Sequence, residues 1–249
     1  MEPDWPVRPN EGRVFESSRR VRLADSGADG AVRLDAIARY LQDVATDDSD
    51  DAGFATGPGT DHVWVVRQTA MRLVPGARWP NLADHIRLAT WCGGLGRAWA
   101  IRRTDVSVPD GTAVETSALW IHLDDRGRPA RLDERFLATY GAAGGGRSAS
   151  TRVRAPGFPG PGAARAPWDV RVADLDIIGH VNNAAVWAAM VQATASGDVQ
   201  ARARTAELVH HGSLEARDPV ELWVEEADGE RLAWLLVRGE VRVSGRLTF

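Results

Sequence analysis

The chain has 249 residues, of which 44% are hydrophobic and 26% charged, and its formal net charge is −4. This balance argues against nucleic acid as the main partner, because nucleic-acid-binding proteins favour a basic stripe or face. The single cysteine excludes an intrachain disulfide, and no cluster has the spacing of zinc ligands, so we expect no metal and no cofactor. All 30 basic residues are arginine, which excludes a lysine Schiff base. The absence of a long apolar run and of a signal-peptide pattern predicts a cytoplasmic location without a membrane span.

The first half of the chain is predicted to form one helix followed by a series of strands. Apolar residues at helical spacing predict a helix over 34–45. The segments that follow are rich in Val, Ile, Trp and Thr and are separated by reverse-turn residues, which is typical of strands. The predicted strands cover His62–Val74, Asp84–Cys92, Arg97–Val106 and Ala113–Leu123.

A segment from Gly141 to Pro167 separates the two halves. It contains 7 Gly, 7 Ala and 4 Pro among its 27 residues. A structureless segment of this length is uncommon inside a compact domain. We therefore interpret residues 141–167 as a linker between an amino-terminal domain, residues 1–140, and a carboxy-terminal domain, residues 168–249.

The second half repeats the same order of elements. Its predicted helix covers 181–193 and is apolar on nearly every side after its first turn, as expected for a helix wrapped by a sheet. An Asp-Gly pair at 228–229 marks a hairpin turn between two of the strands. The predicted strands cover Thr205–His211, Pro219–Glu226, Arg231–Val237 and Glu240–Thr248.

The two halves begin with the same phrase. VRLADSGADGAVRLDAIARYL starts at Val21 and VRVADLDIIGHVNNAAVWAAM starts at Val170, so a shift of 149 residues aligns them. An internal repeat indicates a duplicated structural unit. One strand, one long helix and a meander of antiparallel strands is the order of the hotdog fold. The sequence therefore predicts an α+β fold of two tandem hotdogs, a double hotdog in which each antiparallel sheet wraps a long helix. Two unrelated α+β domains are the alternative. The two hotdogs form a pseudo-dimer within one chain, and a further homodimer stays open.

The segment from Asp174 to Asn183 holds the densest set of catalytic residue types. It leads into the amino terminus of the buried helix, where unpaired N–H groups and a partial positive charge can stabilise an oxyanion. Asp176 or another nearby carboxylate can activate water as general base, and His180 can move a proton or orient a carbonyl. The alternative is structural, with the aspartates capping the helix and Asn182 and Asn183 satisfying its first turn.

The repeat favours a catalytic role for His180. At the shift of 149, His180 falls on Ala31, and the paired asparagines fall on Arg33 and Leu34. Residues needed only for the fold would be expected in both copies. We therefore predict that His180 is functional and that the two asparagines are candidate substrate-binding residues.

The other histidines and the acidic run favour structural interpretations. A single histidine in a strand, or a pair at the end of one, is more often a sheet position than a metal ligand. These histidines are His62, His85, His122, His210 and His211. The acidic run over 47–51 is most simply a solvated helix end and loop.

These motifs resemble the acyl-ACP thioesterases of plants and bacteria, double-hotdog enzymes that release fatty acids from acyl carrier protein (ACP). The resemblance covers most of residues 13–249. In the first half it rests on ADSGADGAVRLDAIARYLQDVA, HVWVVRQTAMRLV, WPNLADHIRLATWCGGLGRAWAIRR and ETSALWIHLDDRGRPARL, and in the second on VRVADLDIIGHVNN. It implies that the amino-terminal hotdog houses the acyl chain, that the carboxy-terminal hotdog catalyses, and that the protein serves fatty acid biosynthesis.

Carried over residue by residue, the resemblance places the catalytic aspartate at Asp176 and the catalytic histidine at His180. The family usually has an asparagine two residues before the histidine, where this chain has Ile178. Counting without gaps places Glu215 at the family's cysteine position and Ser213 at its glutamate position. Glu215 is therefore the candidate acidic residue.

Three activities stay open on sequence alone. The leading one is hydrolysis of a fatty acyl thioester, with ACP as the carrier on resemblance and CoA as the alternative. The second is a non-catalytic or weakly active acyl-binding protein, which Ile178 favours. The third is a hydratase that adds water to an enoyl thioester, because that chemistry also pairs an aspartate with a histidine.

Overall fold

The computed structural model describes residues 5–54, 63–194 and 203–249. Ten strands and three α-helices lie in these ranges. They are β1 Val14–Arg20, α1 Leu34–Asp51, β2 Val63–Leu73, β3 His85–Leu95, β4 Trp99–Val108, β5 Gly111–Leu123, α2 Glu134–Gly144, β6 Ala164–Pro167, α3 Asn183–Thr194, β7 Thr205–His210, β8 Val220–Ala227, β9 Glu230–Val237 and β10 Glu240–Thr248. Single 3₁₀ turns at Leu23–Asp25 and Val172–Asp174 precede α1 and α3.

All ten strands belong to one antiparallel sheet. Its order is β1-β3-β4-β5-β2-β7-β10-β9-β8-β6, so β1 to β5 lie on one side and β6 to β10 on the other. β2 and β7 join the two halves, with Gln68 opposite Val209 and Arg72 opposite Thr205. Each half supplies one long helix to the sheet, which confirms the predicted α+β double hotdog.

The two long helices share one core with the sheet. α1 and α3 pack against each other, and their apolar side chains join those of the strands in a single cluster. α3 is apolar on nearly every side because its neighbours are α1 and the sheet, and its Trp187 and Met190 are fully buried. This explains why its sequence lacks the polar face of a surface helix.

Most predicted ends lie within three residues of the observed ones, but α1 is longer than predicted and continues to Asp51. The acidic run that was expected to be a solvated helix end and loop is the last part of this helix. Asp48 is only 1% exposed and forms ion pairs with Arg13 and Arg102, both at 2.6 Å. A buried carboxylate is tolerated when it is paired in this way, so the solvated interpretation was wrong for Asp48.

The Gly-, Ala- and Pro-rich segment lies against the sheet. α2 extends into it as far as Gly144, and β6 at its other end pairs with β8 at the sheet edge. Between them, the indole N–H of Trp99 donates to the Ala149 carbonyl at 2.9 Å, and that of Trp234 donates to the Gly157 carbonyl at 2.8 Å. These contacts fix the segment to the sheet at two points along its length.

In the ranges that the structure describes, no helix has both the length and the apolar character needed to span a membrane.

Candidate functional site

The loop that leads into α3 is closed by its own hydrogen bonds. The Asp176 N–H donates to the His180 carbonyl at 2.8 Å. Oδ1 of Asp176 accepts the N–H groups of Ile178 at 3.0 Å and His180 at 3.1 Å. Gly179 has a φ of +83°, a left-handed conformation that favours glycine. The Asp176 side chain therefore fixes the position of the His180 backbone.

His180 lies opposite Glu215 in a short antiparallel bridge. The neighbouring Val181 N–H donates to the Leu214 carbonyl at 2.8 Å, which holds the loop against the segment before β8. Side chains of directly opposed antiparallel residues lie on the same face, with Cβ atoms about 4.5–5.5 Å apart. The structure therefore brings together two of the predicted site residues that are distant in sequence.

Neither side chain of this pair is engaged elsewhere in the described parts of the chain. No hydrogen bond or ion pair there involves the His180 imidazole or the Glu215 carboxylate. Glu215 is exposed and His180 is partly exposed. The Glu215 backbone is fixed, because Oδ2 of Asp218 accepts its N–H at 2.8 Å. An imidazole and a carboxylate are thus available side by side to a ligand.

The two asparagines at the start of α3 differ in their surroundings. Asn182 caps the helix, because its Oδ1 accepts the Ala184 N–H at 2.8 Å. Its own N–H donates to the Asp174 carbonyl at 2.8 Å. Asn183 lines a cavity, and its backbone N–H has no acceptor among the residues that the structure describes. The first turn of α3 therefore offers a ligand the Asn183 N–H group and the positive end of the helix dipole.

Asp174 lies at the end of the 3₁₀ turn that precedes the loop and supports it. Its carboxylate is buried and accepts the Arg171 guanidinium at 2.6 Å and the Arg171 backbone N–H at 2.8 Å. Burial raises the pKa of Asp174, but the hydrogen bonds from Arg171 outweigh it and hold the pKa below its usual value. Because both oxygens are occupied, this carboxylate is a structural anchor and not a base for water.

The first half contains the same loop with different side chains. The Gly27 N–H donates to the Ala31 carbonyl at 2.8 Å, and Gly30 has a φ of +81°. Ala31 lies opposite Asn81 in the equivalent bridge. The carboxylate that closes this loop is Asp29, whose Oδ1 accepts the Ala31 N–H at 3.0 Å.

The closing carboxylate therefore occupies different positions in the two copies. The shift of 149 aligns Asp29 with Ile178 and Gly27 with Asp176. The side chain of Ile178 is 62% exposed and has no part in closing its loop, because Asp176 has taken over that task. Sequence analysis missed this exchange, although the alignment of the two copies contains it.

A narrow cavity of about 40 Å³ lies between α1 and the inner face of β2, β4 and β5. At one end it meets the first turn of α3, at Asn183 and Ala184. At the sheet it is lined by Arg102 and Thr104 of β4. The cavity therefore connects the helix terminus that follows His180 with the interior of the amino-terminal hotdog.

The remaining histidines have other surroundings. The ring Nε2 of His211 lies 2.8 Å from the Ser244 hydroxyl, and Nδ1 of His122 lies 3.1 Å from a backbone carbonyl. Burial lowers the pKa of His210 to about 4, with the neighbouring Arg67 charge acting in the same direction. His62 lies outside the described residues. In the parts of the chain that the structure covers, no group of three or more His, Cys, Asp or Glu side chains is placed to hold a metal ion.

Comparisons with known proteins agree with this architecture. A protein-family model described as "Acyl-ACP thioesterase N-terminal domain" matches residues 12–140, just over half of the chain. The 12:0-ACP thioesterase from Umbellularia californica superposes with a TM-score of 0.80 at 16% identity, over 96% of this chain and 98% of that one. An acyl-ACP thioesterase from Bacteroides thetaiotaomicron superposes with a TM-score of 0.79 at 17% identity, over 95% of this chain and 97% of that one. These two likenesses establish the shared fold.

A relative in sequence is the uncharacterized protein Rv2001 of Mycobacterium tuberculosis. It is 25% identical over 243 residues, which are 96% of this chain and 94% of the relative. The family match ends at residue 140, so the loop that carries Asp176 and His180 lies outside the matched range.

Proposed function

Because the chain belongs to the acyl-ACP thioesterase family, we propose that it hydrolyses fatty acyl thioesters at the start of α3. The observation that carries the proposal is the pair His180 and Glu215. The two side chains are opposed across a bridge, and the equivalent bridge of the first copy holds the non-ionisable residues Ala31 and Asn81. An ionisable pair that is present in only one of the two copies indicates that this copy carries the chemistry.

In the proposed reaction, Glu215 accepts a proton from water as the water oxygen attacks the thioester carbonyl carbon. The carbonyl electrons move onto oxygen, and the resulting oxyanion is stabilised by the Asn183 N–H and the helix dipole. When the oxyanion collapses, the C–S bond breaks and the fatty acid forms. Glu215 transfers the proton that it took from water to His180, and His180 passes it to the leaving thiolate, so that both side chains return to their starting states.

Asp176 is assigned a positioning role. One of its carboxylate oxygens accepts two backbone N–H groups and so orients the residue that carries the imidazole. Ile178 stands at the family's asparagine position. Its side chain is exposed and takes no part in closing the loop.

For the substrate we propose a fatty acyl chain on ACP, as the family implies, with CoA as the alternative carrier. The amino-terminal hotdog, residues 1–140, would receive the chain through the cavity that begins at Asn183. The carboxy-terminal hotdog, residues 168–249, would supply the reacting groups, and residues 141–167 would connect the two. The exposed Ile178 favours a second candidate, an acyl-binding protein that does not hydrolyse its ligand.

The test is thiol release from acyl-ACP and acyl-CoA substrates of several chain lengths. We expect thiol and free fatty acid in equal amounts, and a large loss of turnover in His180→Ala. An absence of turnover, or full turnover in His180→Ala, would overturn the proposal. Acyl binding without thiol release would support the binding protein, and a 3-hydroxyacyl thioester product from an enoyl substrate would identify a hydratase.

A further inference from the structure

Arg67 brings a positive charge to the end of β7. It belongs to β2 and lies at a β-bulge between Val66 and Gln68, where β2 has one residue more than its partner β5. Its guanidinium Nη1 donates to the His210 carbonyl at the end of β7. A bulge can turn a side chain out of the regular alternation of a strand, and this one accompanies the contact of Arg67 with β7.

This charge has no anionic partner among the residues that the structure describes. The one hydrogen bond of Arg67 there goes to a neutral carbonyl, and no carboxylate forms an ion pair with it. Burial lowers the pKa of Arg67, and no neighbouring carboxylate offsets this effect. The other guanidinium nitrogens are not buried, so a ligand can reach them. A partly buried cation without a counter-charge is costly, and a bound anion would relieve that cost.

Two neutral imidazoles lie beside this cation. Burial lowers the pKa of His210 to about 4, and the charge of Arg67 acts in the same direction. The same two causes lower the pKa of His211, whose Nε2 lies 2.8 Å from the Ser244 hydroxyl. Nε2 of His210 is buried and has no partner in the described parts of the chain. At neutral pH the cluster therefore carries one positive charge, that of Arg67.

Arginines near the equivalent segment of the first half are neutralised. β2 leads to the first bridge as β7 leads to the second. On β2, Arg72 pairs with Glu115 at 2.7 Å. In the segment that follows, Arg78 pairs with Asp84 at 2.6 Å. The contrast with Arg67 indicates that the second half keeps a positive charge available to a ligand.

The cluster lies close to the proposed reacting pair in the chain but is not in contact with its carboxylate. His210 and Glu215 are five residues apart, so their backbones are separated by at most about 18 Å. No carboxylate contributes to the pKa shifts of Arg67, His210 or His211. The free cation is therefore suited to an anionic group of the substrate that is remote from the thioester.

We propose that Arg67 binds the phosphate of the phosphopantetheine arm by which ACP and CoA carry an acyl group. The proposal rests on the proposed function, because it places the thioester at the bridge of His180 and Glu215 and the phosphate of the same arm at the end of β7. A phosphodiester has one negative charge, which matches the one free cation. Arginine suits this role because guanidinium N–H groups match the geometry of phosphate oxygens.

Thioethers, which cannot be hydrolysed, test the site without requiring turnover. S-decylpantetheine would be compared with the methyl ester of S-decyl-4′-phosphopantetheine, whose phosphate carries the single charge of a phosphodiester. Calorimetric titration should show about tenfold tighter binding of the phosphorylated thioether, as one added charge-assisted hydrogen bond gives. Equal binding of the two thioethers would overturn the inference.

Variants test the assignment to Arg67. Arg67→Gln removes the charge and keeps a donor for the His210 carbonyl, so it should abolish the preference for the phosphorylated thioether and leave binding of S-decylpantetheine unchanged. The matched control is Arg20→Gln, because Arg20 is exposed on the edge strand β1 and has no ion pair among the described residues. A preference that persists in Arg67→Gln, or that Arg20→Gln abolishes equally, would contradict the assignment.

A measurement on the unmodified protein keeps the test valid if Arg67→Gln does not fold. The ring resonances of His210 would be assigned by comparison with His210→Gln and followed by nuclear magnetic resonance during titration. They should shift more with the phosphorylated thioether than with S-decylpantetheine, because the phosphate lies beside the imidazole. Resonances that respond equally to the two ligands would count against the phosphate site.

Thioester substrates separate this inference from the proposed function. For decanoyl-ACP and decanoyl-CoA, Arg67→Gln should raise KM about tenfold and change kcat little. A loss confined to one carrier would identify that carrier as the source of the phosphate. If the phosphorylated thioether binds more tightly through Arg67 but neither thioester releases thiol, the phosphate site holds and the hydrolase proposal fails. If thiol is released and the two thioethers bind equally, the hydrolase proposal holds and the phosphate site fails.

Discussion

The loops over 27–31 and 176–180 have the same backbone and different side chains. Each is closed by one backbone hydrogen bond of 2.8 Å, and each has a glycine at a φ near +80°. The bridge residues are Ala31 and Asn81 in the first loop and His180 and Glu215 in the second. The shared backbone is therefore the requirement of the fold, and the ionisable pair is an addition made at one copy only.

The two helices that follow these loops also differ in the side chains at their first turns. At the start of α1, Arg33 forms a two-bond ion pair with Asp35 at 2.9 and 3.0 Å, and Arg39 adds a third bond to the same carboxylate. At the start of α3, the neutral Asn182 caps the helix. The start of α1 therefore carries a cluster of ion pairs, whereas the start of α3 carries a neutral cap and no ion pair among the described residues.

The largest expected effect is that of His180→Ala. Removing a general acid–base group lowers the rate by roughly 10²–10⁴-fold, and we expect kcat/KM for acyl-ACP to fall within that range. The unfolding midpoint in urea should change little, because no described residue is bonded to the imidazole. Turnover within twofold of the unmodified protein would show that the second loop differs from the first for another reason.

Glu215→Gln should have the next largest effect, on the order of 10²-fold in kcat, because the amide cannot accept the proton of water. The matched variant is Asn81→Ala, at the equivalent position of the first copy. Thiol release by Asn81→Ala should equal that of the unmodified chain. Equal losses in both variants would mean that the bridge has a structural role in each copy.

Substitution of the carboxylates that close the loops should have a smaller effect, and its effect on stability should be equal in the two copies. Asp29→Ala and Asp176→Ala each remove an acceptor of backbone N–H groups, and we expect each to lower the free energy of unfolding by about 1 kcal/mol. Only Asp176→Ala should also lower kcat, because only that loop positions an imidazole. A drop in kcat caused by Asp29→Ala would remove the distinction between the copies.

The two glycines provide the smallest test. An alanine at Gly30 or Gly179 meets nothing within 4 Å, so the only cost is the left-handed backbone, about 1 kcal/mol. Urea unfolding should give equal losses for Gly30→Ala and Gly179→Ala. A loss at only one position would show that the two loops do not share one conformational requirement.

The sequence predicted the fold because its signals are local or repeated. Helical spacing, turn residues and the shift of 149 residues define the two hotdogs without knowledge of distant contacts. The burial of Asp48 was missed because its partners, Arg13 and Arg102, are distant in sequence and meet it only when α1 packs on the sheet.

The candidate site was predictable in part for the same reason. His180 follows from its local motif and from the repeat, whereas its opposition to Glu215 depends on the register of a bridge between distant segments. The offset in the family pattern indicated Glu215 as a candidate. It did not indicate that His180 lies opposite Glu215. The cavity at Asn183 depends on the packing of α1, α3 and three strands, which no short pattern encodes.

The most direct measurement uses one variant that makes the second bridge resemble the first, His180→Ala with Glu215→Asn. Thiol release from acyl-ACP and the urea unfolding midpoint would be measured on the same preparation. We expect thiol release to fall by at least about 10²-fold while the midpoint stays unchanged. Turnover that persists in this folded variant would contradict the assignment of catalysis to His180 and Glu215.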